Sequence, residues 1–306
     1  MSDHAVALFD AFTETTLGGS VAAMVDCAAD LSAEQMQRIA KEFGAPATCF
    51  ILATTAESVD VRFFSTMAEY PMCGHGTMGL MTWLVERGIV PCDMGRTSTV
   101  TLRTPAGSAD VVLQRRADGR VEVMLSLTQA AFEPTPVEPG ELAGVFEIDV
   151  GQFAEDMPIE LSRSDFDSLL VPVGSLAAMR AVKPDFGALA HLCRLHGIGT
   201  VGLLTTETEH PSSTIHFREF APALGTPEAA ASGTTNRAAA CYLLRHGLLE
   251  RAPDGKRVVV TEQGYEMGRP SEIRTEITLA NGDVTNIQVG GVATKSMEGR
   301  FYLRDG

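Results

Sequence analysis

The sequence predicts an α+β fold made of two similar domains, and three observations support this prediction. The chain has 306 residues, which exceeds the size at which a single hydrophobic core usually stops growing. Roughly the first 125 residues alternate several strand-like runs with two helix patterns. A stretch in the second half repeats the order of elements found in the first, which is typical of a duplicated domain.

The elements of the first half follow from local patterns. A helix is predicted at 31–44, with Ser32 as its N-cap and Gly44 at its end. A second helix is predicted at about 77–86, after a glycine-rich turn, and Gly88 closes it. Runs of apolar and β-branched residues predict strands at 5–14, 49–54, 59–65, 98–105, 109–114 and 121–127.

The repeat joins residues 61–90 to residues 215–249. Each segment has an aromatic strand, a loop with an acid and a proline, a small nucleophile-type residue before glycine, and a helix ending at Arg-Gly or His-Gly. Downstream, residues 98–113 resemble residues 257–273. Matches in one order on both sides of the turn favour duplication over chance.

The boundary between the halves is predicted in the acidic, proline-bearing stretch at 130–144. The N-terminal domain is then 1–130, completed by about 290–306, and the C-terminal domain is 131–289. The alternative for this stretch is a surface loop inside one domain.

Composition limits the function classes. A net charge of −15 repels phosphate backbones and anionic lipids, which argues against nucleic-acid and membrane partners. The N-terminus carries acids and no apolar run approaches the ~18 residues of a membrane span, so a cytoplasmic enzyme is expected. Six cysteines without CxxC spacing predict neither a disulfide framework nor a structural zinc site.

The turn at 72–77, Met-Cys-Gly-His-Gly-Thr, is the main candidate for chemistry. A helix N-terminus offers unpaired N–H groups and partial positive charge, so it binds carboxylates. It also lowers the pKa of a nearby thiol, which favours a thiolate at Cys73. The glycines at 74 and 76 let a substrate approach the backbone closely.

In the repeat, Ser232 occupies the position of Cys73, so two facing domains would place both at one cleft. An acid or base on each face of a carbon acid is what racemisation requires. A serine hydroxyl is too weak for this role alone, so Ser232 has a partner, relays a proton or is a bystander. A two-base reaction and a one-base isomerisation or elimination of water both remain open.

Other interpretations of Cys73 and His75 lack partner residues. A C-x-H pair without a second ligand pair does not predict a metal site, and a protease dyad needs a separate histidine. A buried, inert cysteine in a structural turn remains the main alternative. His75 is either an acid or base or a hydrogen-bonding group of the turn. No dinucleotide fingerprint or P-loop is present, so no nicotinamide, flavin or ATP cofactor is predicted.

Four neighbours of the two turns are secondary candidates. Glu69 and Glu228 precede the turns and either orient donors or face solvent. Asn236 and Arg237 lie just inside the second helix, where they either help to bind a carboxylate or form an ordinary exposed first turn.

Several stretches follow in order the pattern of the phenazine-biosynthesis PhzF-like isomerases, and this resemblance covers nearly the whole chain. It implies the diaminopimelate-epimerase type of fold, in which two domains each wrap a mostly antiparallel sheet around a central helix. It also implies an active site in the cleft between the domains, usually no cofactor, and often a homodimer. The matching stretches lie at 10–25, 31–52, 59–79, 217–243, 263–273 and 287–299.

The first turn is also similar to that of the proline racemase and hydroxyproline epimerase group of the same fold. Those enzymes carry a second cysteine at the position matching Ser232, and their dehydratase relatives carry a threonine. By this resemblance Cys73 is the general acid or base. The PhzF pattern places a glutamate in a Ser-Glu-Thr step, whereas this chain has Ala47 there, between Pro46 and Thr48.

These observations lead to one functional prediction with two alternatives. The chain is predicted to be a cofactor-independent isomerase or epimerase that moves a proton at the α-carbon of a small amino- or imino-acid-like carboxylate. The alternatives are a dehydratase that uses Cys73 as its single base, and a non-catalytic protein that binds a small metabolite. The predicted proton-transfer residues are Cys73, Ser232 and His75, and the predicted substrate-binding residues are Gly74, Gly76, Thr77, Gly233, Thr234 and Thr235.

Overall fold

The structure is a computed structural model that describes residues 2–164, 167–249 and 252–304. The chain divides into two compact units. Unit 1 comprises Met1–Ser126 and Gly290–Gly306, and unit 2 comprises Leu127–Val289.

Unit 1 contains all the elements predicted for the first half of the sequence and two further strands that were not predicted, at Ser20–Val25 and Glu69–Tyr70. In chain order they are β1 Ser2–Ala11, β2 Ser20–Val25, α1 Ala33–Phe43, β3 Ala47–Thr54, β4 Ser58–Phe64, β5 Glu69–Tyr70, α2 Gly74–Glu86, β6 Thr97–Thr104, β7 Gly107–Arg115 and β8 Val121–Ser126.

The later elements belong to unit 2, except for the end of β17 and the last strand, which return to unit 1. They are β9 Ala131–Pro134, α3 Pro139–Phe146, β10 Glu160–Arg163, β11 Ser168–Pro172, α4 Leu176–Ala181, α5 Phe186–His196, β12 Thr200–Thr205, β13 Ile215–Ala221, β14 Thr226–Ala229, α6 Gly233–Arg245, β15 Gly255–Gln263, β16 Ser271–Ala280, β17 Asp283–Gly291 and β18 Ala293–Leu303. Two short 3-10 turns lie at Val150–Gln152 and Pro222–Leu224.

Strand pairing follows the same pattern in both units. In unit 1, β18–β1 and β1–β2 are antiparallel, β2–β3 is parallel, β3–β4 is antiparallel and β4–β6 is parallel. In unit 2, β9–β10 and β10–β11 are antiparallel, β11–β12 is parallel, β12–β13 is antiparallel and β13–β15 is parallel. The next pairs, β6–β7 and β15–β16, are antiparallel in both units. The prediction of two similar domains is therefore confirmed.

Each unit has one helix that its sheet surrounds. Helix α2 is buried without interruption from Gly76 to Val85 and contacts β1, β2, β3, β8 and β18. Helix α6 is buried from Thr235 to Leu243 and contacts β11, β12 and β16. A helix buried on all sides does not need an amphipathic stripe, because no face meets water. Both helices have 13 residues, as expected of two copies of one element.

Other helices pack elsewhere on these sheets. In unit 1, Met36 and Ile39 of α1 lie in one cluster with Phe50 and Phe64. Helix α1 begins as predicted, since Ser32 and Gln35 form a reciprocal capping box, and Gly44 ends it at a φ of 65°. In unit 2, helices α3, α4 and α5 share a cluster with the inner residues of β11 and β12.

Two differences from the sequence predictions concern element boundaries. Helix α2 begins at Gly74 rather than at about Thr77, because the turn residues already adopt helical geometry. The stretch at 130–144, predicted to hold the boundary between the halves, contains β9 and most of α3, while the two units meet in sequence at Ser126 and Leu127. Pro139 stands at the start of α3, where proline is tolerated. In the described part of the chain, the helices are all too short or too polar to cross a membrane.

Candidate active site

The first turn, residues 72–77, places Cys73 at the N-cap of α2. Its backbone is extended, with φ −140° and ψ 110°, and its thiol makes no capping hydrogen bond. Thr77 is fully buried, and both its N–H and its hydroxyl donate to the Cys73 carbonyl oxygen, at 2.9 and 2.8 Å. Thr77 therefore stabilises the turn, and both its N–H and its hydroxyl donate hydrogen bonds within the turn.

The two glycines of this turn have different surroundings. A Cβ on Gly76 would lie 2.9 Å from the Cys49 sulfur and 3.1 Å from the Phe63 ring. A Cβ on Gly74 would meet no atom within 4 Å. Packing thus requires a glycine at position 76, whereas the space beside the backbone of Gly74 is empty of protein atoms.

The Cys73 sulfur lies over the face of the His75 ring. It is 3.5 Å from Nδ1 and 3.7 Å from Nε2. A hydrogen bond in the ring plane to one nitrogen would leave the other much farther away, so nearly equal distances place the sulfur above the ring. A thiolate–imidazolium pair of the protease kind needs a ring N–H directed at the sulfur, which this arrangement does not supply.

Burial dominates the protonation of both side chains. It raises the pKa of Cys73 to about 12, and the nearby backbone N–H groups of Gly76 and His75 lower it by less. Burial also lowers the pKa of His75 to about 4. At neutral pH the pair is therefore a thiol and a neutral imidazole. The expectation that the helix terminus favours a thiolate is wrong, because desolvation of the charged sulfur outweighs the helix donors.

The second turn, residues 231–236, has the same backbone geometry. Ser232 is the N-cap of α6, with φ −143° and ψ 121°. Asn236 takes the part of Thr77, since its side-chain amide donates to the Ser232 carbonyl oxygen at 2.7 Å. The structure therefore confirms that Cys73 and Ser232 occupy equivalent positions in the two units.

The Ser232 hydroxyl does not cap its own helix, although serine is among the best N-cap residues. It lies 3.4 Å from the Thr234 hydroxyl and donates to the Thr235 hydroxyl at 3.3 Å. Thr235 is fully buried, and its hydroxyl donates to Oε1 of Glu219 at 2.6 Å. Thr235, like Thr77, uses its side chain inside the unit.

Glu219 is a candidate that the sequence analysis missed. It lies on β13 and only 3% of its surface is exposed. Burial raises the pKa of its carboxyl group, although the hydrogen bond from Thr235 and the nearby polar groups of Ser232 and Gln263 oppose the rise. A buried carboxyl group with a raised pKa beside a candidate serine is a recognised mark of a functional site.

A comparison of the two repeated sequence segments could have identified Glu219 as a candidate. In unit 1, Cys49 of β3 faces Phe63 of β4, and in unit 2, Gly202 of β12 faces Glu219 of β13. The strands contain Arg62-Phe63-Phe64 and Arg218-Glu219-Phe220. Aligning the two triplets shows a carboxylate where the other copy has a phenyl ring.

The arginines of these triplets hold the two secondary candidates Glu69 and Glu228. Arg62 donates twice to Glu69, at 2.8 and 2.7 Å, and Arg218 donates twice to Glu228, at 2.8 and 3.0 Å. Such forked pairs fix geometry as well as charge. Each pair joins β4 or β13 to the segment before the turn, so both glutamates orient the backbone leading to the N-cap.

The other two secondary candidates do not form an exposed first turn. Asn236 and Arg237 are fully buried. The Asn236 amide also donates to the Gln263 side chain at 2.8 Å, and Arg237 donates to the Thr128 carbonyl oxygen at 2.8 Å. Both residues therefore have structural contacts within unit 2.

A family model described as phenazine biosynthesis-like protein matches residues 9–299, and the chain belongs to this family. It is 31% identical to the trans-2,3-dihydro-3-hydroxyanthranilate isomerase of Pseudomonas aeruginosa, over 98% of this chain and all of that protein. A solved PhzF-family structure from Bacillus anthracis is 25% identical and superposes with a TM-score of 0.87, covering 99% of this chain and 100% of that one.

The fold also extends to the racemase group. The structure of a probable proline racemase from Agrobacterium radiobacter K84 superposes with a TM-score of 0.63, covering 98% of this chain and 93% of that one. At 14% identity this likeness shows a shared fold. The predictions of a PhzF-like isomerase and of a racemase-type fold are confirmed, whereas the role of the MCGHGT turn stays a prediction.

Proposed function

We propose that this isomerase moves a proton at the α-carbon of a small amino- or imino-acid-like carboxylate, and that Cys73 is the group that gives and takes the proton. One observation carries this proposal. A buried thiol sits at the N-terminus of the central helix, 3.5 Å from Nδ1 of His75, and the backbone N–H groups of Gly76 and His75 are near enough to lower its pKa.

The protonation of Cys73 suits the role of acid toward a carbon. A carbanion next to a carboxylate is a far stronger base than a thiolate, so even a thiol with a pKa of about 12 protonates it. The thiolate left behind is stabilised for the return step by the nearby backbone N–H groups of Gly76 and His75, which lower its pKa. The same sulfur therefore acts as acid in one direction and as base in the other.

Substrate binding falls to the backbone of the two turns. In the first turn, Gly74 leaves space beside its backbone, and N–H groups at a helix N-terminus attract a carboxylate. Gly233 and Thr234 occupy the matching positions of the second turn. His75 is neutral and offers a ring N–H or a ring nitrogen without adding charge.

The test is loss of the α-proton in D2O, followed by proton NMR. The probes are L-proline, 4-hydroxy-L-proline and trans-2,3-dihydro-3-hydroxyanthranilate, the compound in the name of the Pseudomonas relative. We expect Cys73→Ser to lower the exchange rate by about 100-fold or more, since one positioned acid or base contributes about 10² to 10⁴. Cys27→Ser is the matched control, because Cys27 is an exposed cysteine of the same unit.

Each other outcome identifies an alternative. Exchange that persists in Cys73→Ser contradicts the role of Cys73. Loss of water from a hydroxylated probe indicates a dehydratase, and tight binding without exchange indicates a binding protein. Cytoplasmic location and a homodimer remain parts of the proposal, and fractionation and light scattering test them.

A further inference from the structure

A chain of hydroxyl groups connects Ser232 to a buried carboxyl group. Ser232 donates to the Thr235 hydroxyl at 3.3 Å, and the Thr235 hydroxyl donates to Oε1 of Glu219 at 2.6 Å. Thr235 thus accepts from one neighbour and donates to the other, as proton transfer along a chain requires.

The second hydroxyl contact of Thr235 does not interrupt this direction. Thr200 lies 3.4 Å from the Thr235 hydroxyl, but its own proton is donated to Ser168 at 2.7 Å. The Thr235 proton therefore remains directed at Glu219.

Among the residues that the structure describes, no charged group shifts the pKa of Glu219. Thr235 of α6 donates to it, and the polar groups of Ser232 at the N-cap of α6 and of Gln263 on β15 are near enough to lower its pKa. Its strand neighbours are Gly202 of β12 and Ala229 of β14. Because these groups do not ionise, they give Glu219 no partner of opposite charge, and the proton state of its carboxyl group depends on burial and on the hydroxyl chain.

Unit 1 has no carboxyl group at the matching position. In unit 1, Phe63 and Cys49 lie against Gly76. In unit 2, Glu219 takes the position of Phe63 and Thr235 takes the position of Gly76. The difference matches the two N-cap residues, since a thiol can exchange a proton directly whereas a serine hydroxyl needs a partner.

We propose that Glu219 is the proton reservoir of Ser232, connected to it through the Thr235 hydroxyl. This inference rests on the proposed function, because it assumes that Ser232 faces the reacting carbon. Ser232 is then the catalytic group of the second turn, and Glu219 and Thr235 act through it.

The proton balance of the step is closed within the chain. When Ser232 takes the α-proton from the substrate carbon, it passes its own hydroxyl proton to Thr235, and Thr235 passes its own to the Glu219 carboxylate. The electron pair of the broken C–H bond stays on the substrate carbon, and the negative charge moves from the Glu219 carboxylate to the carbanion. In the reverse direction Glu219 returns its proton to Thr235, each hydroxyl proton moves one place back, and Ser232 protonates the carbon.

The kinetic test uses the D2O exchange assay with Glu219→Gln, Thr235→Val and Ser232→Ala in the full chain. Glutamine keeps an acceptor for Thr235 but carries no acidic proton. We expect each variant to lose about 100-fold in rate, and Glu219→Gln with Ser232→Ala to lose no more than Ser232→Ala alone, because both belong to one pathway. The pH dependence of the exchange rate that arises from ionisation of Glu219 should be absent in Glu219→Gln.

Thr275→Val is the matched control. Thr275 is a fully buried threonine on β16 whose hydroxyl makes no hydrogen bond within the described residues. We expect it to keep the wild-type rate and pH profile. Circular dichroism of each variant checks that the fold is retained, and an additive loss in the double variant would overturn the shared pathway.

An infrared pH titration without substrate separates this inference from the proposed function. We expect a protonated carboxyl band that is absent in Glu219→Gln, shifted in Thr235→Val and unchanged in Thr275→Val. If no probe exchanges with the wild-type protein, the proposed function fails while this spectrum still reports on the reservoir. A spectrum identical in wild type and Glu219→Gln would overturn the reservoir, and so would a wild-type exchange rate in either Glu219→Gln or Ser232→Ala.

Discussion

At the scale of single residues, burial and the helix terminus act on Cys73 in opposite directions. A helix N-terminus contributes at most about 2 kcal/mol, or roughly 1.5 pKa units, to a nearby negative charge. Full burial shifts a pKa by up to about 3–5 units. The rise of the Cys73 pKa from 9.0 to about 12 shows that burial prevails. A sequence gives the helix position of a thiol but not its burial, which explains why the thiolate expectation was wrong.

The first prediction follows from the Cys73 pKa. Iodoacetamide reacts with thiolates, so Cys73 should be alkylated much more slowly than exposed Cys27 at neutral pH. Peptide mass spectrometry of a time course measures both sites in one sample. Rapid labelling of Cys73 at neutral pH would contradict the protonation assigned to it.

The second prediction concerns Glu219 and the free energy of unfolding. Its pKa is higher in the folded chain than in the unfolded chain, so the folded state binds more protons between the two pKa values. The contribution of Glu219 to stability is therefore complete at low pH and is lost as the pH rises through the folded pKa.

Glu219→Gln should consequently gain stability relative to wild type between about pH 5 and about pH 8. Urea denaturation at both pH values measures the difference. Glu272→Gln removes an exposed carboxyl group on β16 and is the control for the substitution itself. A Glu219→Gln difference that is equal at both pH values would refute the raised pKa.

Sequence patterns could find the two N-cap residues but could not place Glu219 in the interior. All seven residues of β13 are buried, so the alternation that separates inner from outer faces is lost. From the sequence alone, a buried charged residue in such a strand cannot be distinguished from one that faces solvent. Only the comparison with Phe63 in the other copy distinguishes the two cases.

At the scale of elements, the central helices depend on close approach to their strands. Gly76 permits this in α2, where the Cys49 sulfur and the Phe63 ring occupy the space of a side chain. The prediction of this helix from its glycines and apolar run was correct within three residues. The helices α3, α4 and α5 were not predicted, because the first half of the sequence offers no template for them. Unit 1 has no counterpart of α3, and it has the single helix α1 at the place where unit 2 has both α4 and α5.

The third prediction compares the two glycines of α2. Gly76→Ala should cost about 1–3 kcal/mol of unfolding free energy, since it overpacks a filled site. Gly74→Ala should stay within about 1 kcal/mol of wild type, because its Cβ meets no atom within 4 Å. Thermal unfolding of both variants measures the contrast, and equal losses would contradict the packing described for Gly76.

At the scale of the whole molecule, the duplicated pattern of strand pairing accounts for the success of the fold prediction. The repeated turn and helix were visible in the sequence, and the family resemblance supplied the sheet that wraps each helix. The net charge of −15 acts at this scale as well, because it opposes the approach of an anionic substrate.

The fourth prediction uses this charge. If the substrate is a carboxylate, added salt should screen the repulsion, so kcat/KM should rise by a small factor from low salt to about 0.15 M ionic strength. Steady-state kinetics across a salt series tests this. A steep fall with salt would instead indicate that a local positive field steers the substrate.

The central claim, that Cys73 transfers the α-proton, is tested most directly by the D2O exchange rate of Cys73→Ser beside Cys27→Ser. We predict a loss of about 100-fold or more for Cys73→Ser and a wild-type rate for Cys27→Ser. Exchange at the wild-type rate in a folded Cys73→Ser protein would contradict the claim.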